Sequence, residues 1–367
     1  MLTLESNKVR RILLVRTSAL GDVIHVLPSL EALRQLFPAA KISWIIDPLG
    51  ARLLAGHPTL EEVVEIPRQK WKRQLRHPRE WLGLCLEVLR LSRSLRRKRF
   101  DLVLDFHSSL KSAAILLLAG GRHRLGFHRA DIAETCGGLL TNHKAPRVPA
   151  QTNKVEKNLA LLRELGFQGA CPRGKVSLRA EDQQWARSLV GRLPGTGPVV
   201  ALHPAVSRFG QIKRWPAEYF SAVIDSLRRK HDARILLTWG PGEREVAESV
   251  GRPTLLESEV DLLRFAALLS SVDLLIAADT GALPMAAMLG TSTVGIFGPK
   301  DPALYAPYPT PGEIVRSTAP CSPCTLRKCE HCICTTLIQP QAVLEAAERA
   351  LLSGQVSAVS DQPEPCL

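Results

Sequence analysis

The amino-acid sequence predicts an α/β protein built as two doubly wound domains. Three observations carry this reading. The 367 residues exceed what a single hydrophobic core ordinarily serves. Short apolar runs, suited to strands buried on both faces, alternate with stretches of helical spacing. The alternation runs through both halves of the chain, with short polar loops where strands give way to helices.

Taken in order, the first strand is Ile12-Leu13-Leu14-Val15. The loop Arg16-Thr17-Ser18-Ala19-Leu20-Gly21-Asp22 follows, and then one continuous helical pattern of Val23, Leu27, Leu30, Leu33 and Leu36 that ends before Pro38. Ile42-Ser43-Trp44-Ile45-Ile46 is strand-like again, so the chain opens as a parallel βαβ unit. A further strand is expected at 102–105, with a helix from about Ser109. In the second half, strands are expected at 198–202, 233–238, 274–277 and 293–297, with helices at 216–228, 243–250, 262–269 and 283–289. The expected domains are residues 1–172 and 173–353, and residues 354–367, with Pro363 and Pro365, are expected as a loose tail.

Hydrophobic residues at 45% and charged residues at 23% exclude a collagen, a disordered chain and a coiled-coil rod. Apolar runs such as 113–119 are too short to span a bilayer. The opening residues lack the pattern of a signal peptide, so the expected location is cytoplasmic. Lys and Arg number 48 against 35 Asp and Glu, a net charge of +13, which calls for an anionic partner: nucleic acid, a membrane surface or a phosphorylated substrate. Aromatic residues are only 5%, and neither an RNP-like motif nor a zinc finger with a histidine pair is present, so no nucleic acid partner is expected. The absence of G-x-G-x-x-G argues against a dinucleotide-dependent dehydrogenase.

Ligands of open α/β sheets bind outside the carboxyl ends of the strands, and four loops there carry reactive side chains. In Ser18-Ala19-Leu20-Gly21-Asp22, Asp22 is either a helix cap or a carboxylate able to take a proton from a hydroxyl. Lys213-Arg214-Trp215-Pro216, after His203-Pro204-Ala205, is either a solvated basic turn or a diphosphate site. Glu243, in Gly240-Pro241-Gly242-Glu243, is placed to accept bonds from ribose hydroxyls, although ordinary strand–helix turns have the same composition. Asp279-Thr280-Gly281 follows a strand and opens a helix, so its N–H groups and hydroxyl suit a phosphate.

These loops, with the block from Ile12 to Pro28, the segment from Phe106 to Ala114 and Phe297-Gly298-Pro299, resemble glycosyltransferase family 9, the ADP-heptose:lipopolysaccharide heptosyltransferases. The similarity runs from about residue 10 to residue 350. It implies a GT-B fold, two facing Rossmann-like domains with the active site in the cleft between them. It also implies an inverting transferase that moves heptose from ADP-heptose to the inner core of lipopolysaccharide, without a cofactor or a metal. On this resemblance Asp22 is the general base. Lys213, Glu243, Asp279, Thr280 and Gly281 bind the ADP-sugar donor, while Ser18, Gly21, Lys111 and Ser112 bind the lipid A–Kdo-type acceptor. The acceptor is lipid-anchored, so peripheral contact with the cytoplasmic face of the inner membrane is expected.

One departure stands out. The family places a histidine three residues after the glycine of its Asp-Thr/Ser-Gly motif, where it reaches the diphosphate; here the position is Pro284, which donates no hydrogen bond. Two other features stand open. Cys321, Cys324, Cys329, Cys332 and Cys334, with His331, have the residue types of a zinc site but a gap between pairs shorter than a zinc ribbon uses. Cys85, Cys136, Cys171 and Cys366 read as ordinary reduced thiols. The basic residues between Arg68 and Arg99 are either a solvated helix face or a surface for anionic lipid or acceptor phosphate. Two alternatives accompany the leading reading: a family-9 transferase for another nucleotide sugar, and a non-catalytic anionic-ligand-binding protein on a degenerate GT-B scaffold.

Overall fold

A computed structural model describes residues 2–360 except 3, 6, 7, 133, 252, 253, 310 and 311, and not the side chains of 135, 136, 208, 209 and 354–360. The chain divides into two units, Met1–Ser177 and Leu178–Leu367. The division lies beyond residue 172 because the intervening segment is bonded back into the first unit. The Ser177 hydroxyl donates to the Gly56 carbonyl at 2.7 Å, and the His57 ring bonds the Lys175 carbonyl at 3.0 Å.

The first unit is a six-stranded parallel sheet of β1 (Arg11–Val15), β2 (Lys41–Ile46), β3 (Glu62–Glu65), β4 (Leu102–Asp105), β5 (His123–Gly126) and β6 (His143–Lys144). Its order is β3-β2-β1-β4-β5-β6. Ile12, Leu13, Leu14 and Val15 have no exposed surface, as their unbroken apolar run requires of a central strand covered on both faces. The helical pattern expected after it as one piece is two helices, Leu20–Ile24 and Leu27–Leu36. Pro28 has no N–H to continue the first helix and is accommodated at the start of the second, where none is needed.

The second unit repeats the plan with β7 (Val199–His203), β8 (Arg234–Leu237), β9 (Thr254–Leu255), β10 (Leu274–Ala278), β11 (Ser292–Phe297) and β12 (Glu313–Arg316). Their order is β12-β11-β10-β7-β8-β9, again parallel throughout. Helix Ala217–His231 and helix Pro340–Ser360 pack on this sheet, burying Phe220, Val223, Ile224, Leu227, Val343 and Leu344. The expected loose tail from residue 354 is corrected at its start, since the last helix continues to Ser360; residues 361–367 lie outside those described.

In both sheets the strand order reverses beside the first strand of the unit, between β1 and β4 and between β7 and β10. Register then aligns the strand ends: Val15 pairs with Asp105, and His203 with Ala277. Each pair of adjacent carboxyl ends opens the kind of crevice in which doubly wound sheets bind ligands.

Candidate active site

In the first unit the loops after β1 and β4 meet. Arg16 leaves the end of β1 and its Nη1 donates to the Phe106 carbonyl at 2.7 Å, while its Nη2 pairs with the Asp22 carboxylate. The other oxygen of Asp22 accepts from Lys154 Nζ at 2.7 Å. Asp22 is third in its short helix, yet that helix has no side-chain cap bond, so the capping alternative fails. Burial works to raise the pKa of Asp22, but the charges of Arg16 and Lys154, the Lys154 hydrogen bond and His25 outweigh it and bring it to about 2. Asp22 is therefore a carboxylate at neutral pH, with a quarter of its side chain exposed.

The β4 loop is held by a different set of bonds. Asp105, fully buried at the strand end, accepts the N–H groups of His107 and Ser108 and the hydroxyl of Ser112, each at 2.9 Å. Burial pushes its pKa up to about 6, against those bonds. Ser109 and Ser112 form a reciprocal capping box on helix Leu110–Ala119. Ser112 is thus corrected from an acceptor contact to a fully buried structural residue. His107 Nδ1 lies 3.3 Å from the Thr17 hydroxyl, and burial together with Arg16 holds its pKa near 4, so the ring is neutral. Ser18 and Gly21 are half-buried on the β1 loop, and Lys111 is exposed in the first turn after the β4 loop. These three share one end of the sheet with Asp22.

The second unit assembles the analogous pair of loops. Lys213 Nζ is 2.6 Å from the Asp279 carboxylate and 3.0 Å from the Asp279 carbonyl, joining the β7 loop to the β10 loop. Trp215 anchors that lysine: it is 1% exposed, packs edge-on against Phe220 at 4.8 Å, and its indole N–H donates to the Ile338 carbonyl. In the motif Lys213-Arg214-Trp215-Pro216 the tryptophan is thus core and the lysine is presented. Thr280 Oγ1, next along the β10 loop, is buried with no hydrogen-bond partner among the described residues. Gly281 is the N-cap of helix Ala282–Leu289 and brings no side-chain cap to its free N–H groups. An unpaired buried hydroxyl and a helix N-terminus beside a lysine are the donor set a diphosphate requires.

Glu243 lies on the neighbouring β8 loop, where its carboxylate accepts the Gly240 N–H at 3.1 Å and stands 4.0 Å from His203 Nε2. Burial raises its pKa against that bond and the charge of Arg214. His203, whose Nδ1 is 3.0 Å from the Thr238 hydroxyl, is kept neutral by burial, its pKa lowered to about 4. Pro284 is buried at the third position of helix Ala282–Leu289, where its missing N–H costs the helix no internal bond.

Sequence reasoning missed Lys154 and did not assign roles to Arg16, Asp105 or His107. Arg16 and His107 stood inside motifs already singled out. Lys154 lies 132 residues from its partner and carries no local signal. The cysteines of the 321–334 loop are free thiols, with the Cys332 N–H 3.4 Å from Cys329 Sγ. Among the described residues, no three His, Cys, Asp or Glu side chains are grouped to hold a metal ion. Cys85 is exposed and Cys171 half-buried, both free, whereas Cys366 and the Cys136 side chain lie outside the description.

The chain is similar to known proteins over nearly its whole length. It is 27% identical over 365 residues to lipopolysaccharide heptosyltransferase 1 of Pseudomonas aeruginosa, covering 94% of this chain and 98% of that one. It is also 27% identical over 309 residues to lipopolysaccharide heptosyltransferase 1 of Escherichia coli K12, covering 81% and 91%. Among solved structures, the E. coli heptosyltransferase WaaC with ADP superposes with a TM-score of 0.71 at 26% identity, over 93% of this chain and 99% of that one. A family 9 glycosyltransferase from Veillonella parvula shares the fold with a TM-score of 0.78 at 19% identity, covering 94% and 98%. The fold is accordingly of the GT-B type, with Rossmann-like units. The sequence model of glycosyltransferase family 9 (heptosyltransferase) matches residues 88–333. With two thirds of its length inside that match, the chain belongs to glycosyltransferase family 9 and is a glycosyltransferase.

Proposed function

We propose that the protein transfers heptose from ADP-heptose to the inner core of lipopolysaccharide, with inversion at the anomeric carbon. The observation that carries the mechanism is the division of charge between the units. An ionised carboxylate, Asp22, stands at the β1–β4 crossover of the first, and a lysine held by its partner, Lys213, stands at the β7–β10 crossover of the second. The relatives' names supply the sugar and the acceptor class. The ADP-bound WaaC structure supplies the nucleotide.

In this reading the acceptor hydroxyl attacks the anomeric carbon as the bond from that carbon to the ADP β-phosphate oxygen breaks. The hydroxyl proton passes to Asp22, and the bonding pair leaves with ADP. A base with a pKa near 2 is weak toward a neutral alcohol, so the transfer occurs as the new C–O bond forms and the hydroxyl turns acidic. The charge that develops on the diphosphate is met by Lys213, the Thr280 hydroxyl and the N–H groups at Gly281. Asp279 holds the lysine rather than the anion, since a carboxylate against a diphosphate is repulsive. Lys111, exposed near Asp47 and His107, suits a phosphate or carboxylate of the acceptor.

The acceptor is anchored in lipid, so the enzyme works peripherally at the cytoplasmic face of the inner membrane. No helix among the described residues is long and apolar enough to cross a bilayer. Nucleic acid has no part in this reading. Pro284 favours a second reading, a family-9 transferase for another nucleotide sugar, because it alters the contact expected nearest the leaving group. The test is incubation of the purified protein with ADP-heptose and a Kdo–lipid A acceptor, followed by mass spectrometry of the lipid and NMR of the new linkage. Addition of one heptose with inverted configuration is expected. No addition from ADP-heptose, with transfer from a different nucleotide sugar, would establish the second reading instead.

A further inference from the structure

Helix Trp81–Arg97 has two apolar faces, and the described residues cover only one. Its inner face is buried through Leu84 and Leu95, the latter in the core formed with Val103 and Leu116. Its outer face shows Leu82, Leu86 and Leu89 at 74%, 46% and 49% exposure, residues that recur at one-turn spacing. The same stripe continues at one-turn spacing through Arg93 and Arg97, both exposed and in no ion pair among the described residues. The stripe is therefore apolar at its start and cationic at its end. Soluble surfaces scatter single leucines, but a contiguous row beside unpaired arginines marks a surface with a partner.

The neighbouring helix extends the patch. Helix Leu110–Ala119 packs alongside, with the Ser92 hydroxyl donating to the Leu118 carbonyl at 3.0 Å and Arg96 Nη2 to the Leu117 carbonyl at 2.8 Å. It too leaves leucines outward, with Leu117 60% and Leu110 66% exposed. Leu110 is the first residue after the loop that carries His107 and precedes Lys111, so the apolar surface runs up to the loop assigned to the acceptor.

We propose that the outer face of helix Trp81–Arg97, together with the exposed leucines of helix Leu110–Ala119, docks the first unit on an anionic phospholipid bilayer. Leucines enter the acyl boundary while Arg93 and Arg97 meet lipid phosphates, their long stems letting the charges stay at headgroup level. Charge complementarity favours this occupant, since the chain carries a net +13 and cytoplasmic leaflets are anionic. Docking here delivers a lipid-anchored acceptor to the β4 loop without extracting it. That purpose rests on the function proposed above, but the docking itself does not.

The test is co-sedimentation of the full chain with vesicles of phosphatidylglycerol and phosphatidylethanolamine, beside vesicles of phosphatidylcholine alone. The wild type should bind the first, bind the second weakly, and lose binding as salt rises. Leu82→Ser, Leu86→Ser and Leu89→Ser combined should weaken binding by roughly tenfold or more. Arg93→Glu with Arg97→Glu should abolish the preference for anionic vesicles. All five positions are exposed, and both variants should keep wild-type circular dichroism and wild-type turnover on a delipidated acceptor. Wild-type vesicle binding by both folded variants would overturn the proposal. So would a wild-type dimer in sedimentation velocity that either variant dissociates, because the face would then serve a second copy of the chain. Vesicle binding without any heptose transfer would leave the docking standing and sink only the function.

Discussion

Burial alone would push the Asp22 carboxyl upward; the guanidinium of Arg16 and the ammonium of Lys154 reverse the sign. The same two cations fix its position from either side, so a single pair of contacts sets both the charge and the aim of the proposed base. The depressed pKa also makes Asp22 a stabilising group. Its contribution of about 2 kcal/mol is complete above its ordinary value of 3.8 and is lost as pH falls through about 2. Lys213 carries the residue-scale prediction for the donor. Lys213→Ala removes a charged donor, typically about 1.5–3 kcal/mol, and should weaken ADP binding roughly ten- to a hundredfold by calorimetry while acceptor binding stays near normal. Unchanged affinity and rate would leave Lys213 a structural partner of Asp279. The carboxylate and the lysine were both legible in the sequence as motif residues. Lys154 was not, because a contact across 132 residues leaves no trace in local spacing.

At the scale of elements, the central strands were legible and the edges were not. β1, β7 and β10 are unbroken apolar runs because neighbours cover both faces. β3, β6, β9 and β12 are two to four residues long and largely half-exposed, so neither length nor periodicity singles them out. Ser112 shows how an element can absorb a residue that looks functional. The Ser109–Ser112 capping box and the buried Asp105 claim its hydroxyl, so Ser112→Ala should cost about 1–3 kcal/mol of stability through the orphaned carboxylate. Denaturant unfolding measures that loss, and a stable variant with a raised acceptor KM would restore Ser112 to the acceptor site. Pro284 belongs to helix Ala282–Leu289, whose first turn lacks one N–H at that position. Pro284→His returns an N–H and adds an imidazole near the developing charge. Transfer from ADP-heptose should then rise by about tenfold or more, at unchanged melting temperature. A stable variant with no gain on any ADP-sugar would make Pro284 neutral.

At the scale of the whole molecule, buried titratable groups set how stability responds to pH. His203 and His107 have pKa values near 4, below the ordinary 6.5, and His57 is lowered by burial as well. Each contributes stability that is complete above pH 6.5 and lost as pH falls, by up to about 1.4 kcal/mol per pH unit for a fully buried ring such as His203. Asp105, raised to about 6, runs the other way and gains stability as pH falls from 6 to 3.8. Glu243 and Asp47, raised by burial, act with Asp105, but the two histidines lowered to about 4 outweigh the carboxyls and decide the sign. The melting temperature should be roughly 3–8 °C lower at pH 5 than at pH 7, and equal or higher values at pH 5 would mean these rings are not held neutral. The central claim is that the units divide the chemistry, base on the first and donor cation on the second. The most direct test is Asp22→Asn, assayed for turnover and for ADP affinity on the same folded protein. The account predicts a loss of turnover of roughly a hundredfold or more with ADP affinity unchanged. Wild-type turnover in a folded Asp22→Asn protein would contradict it.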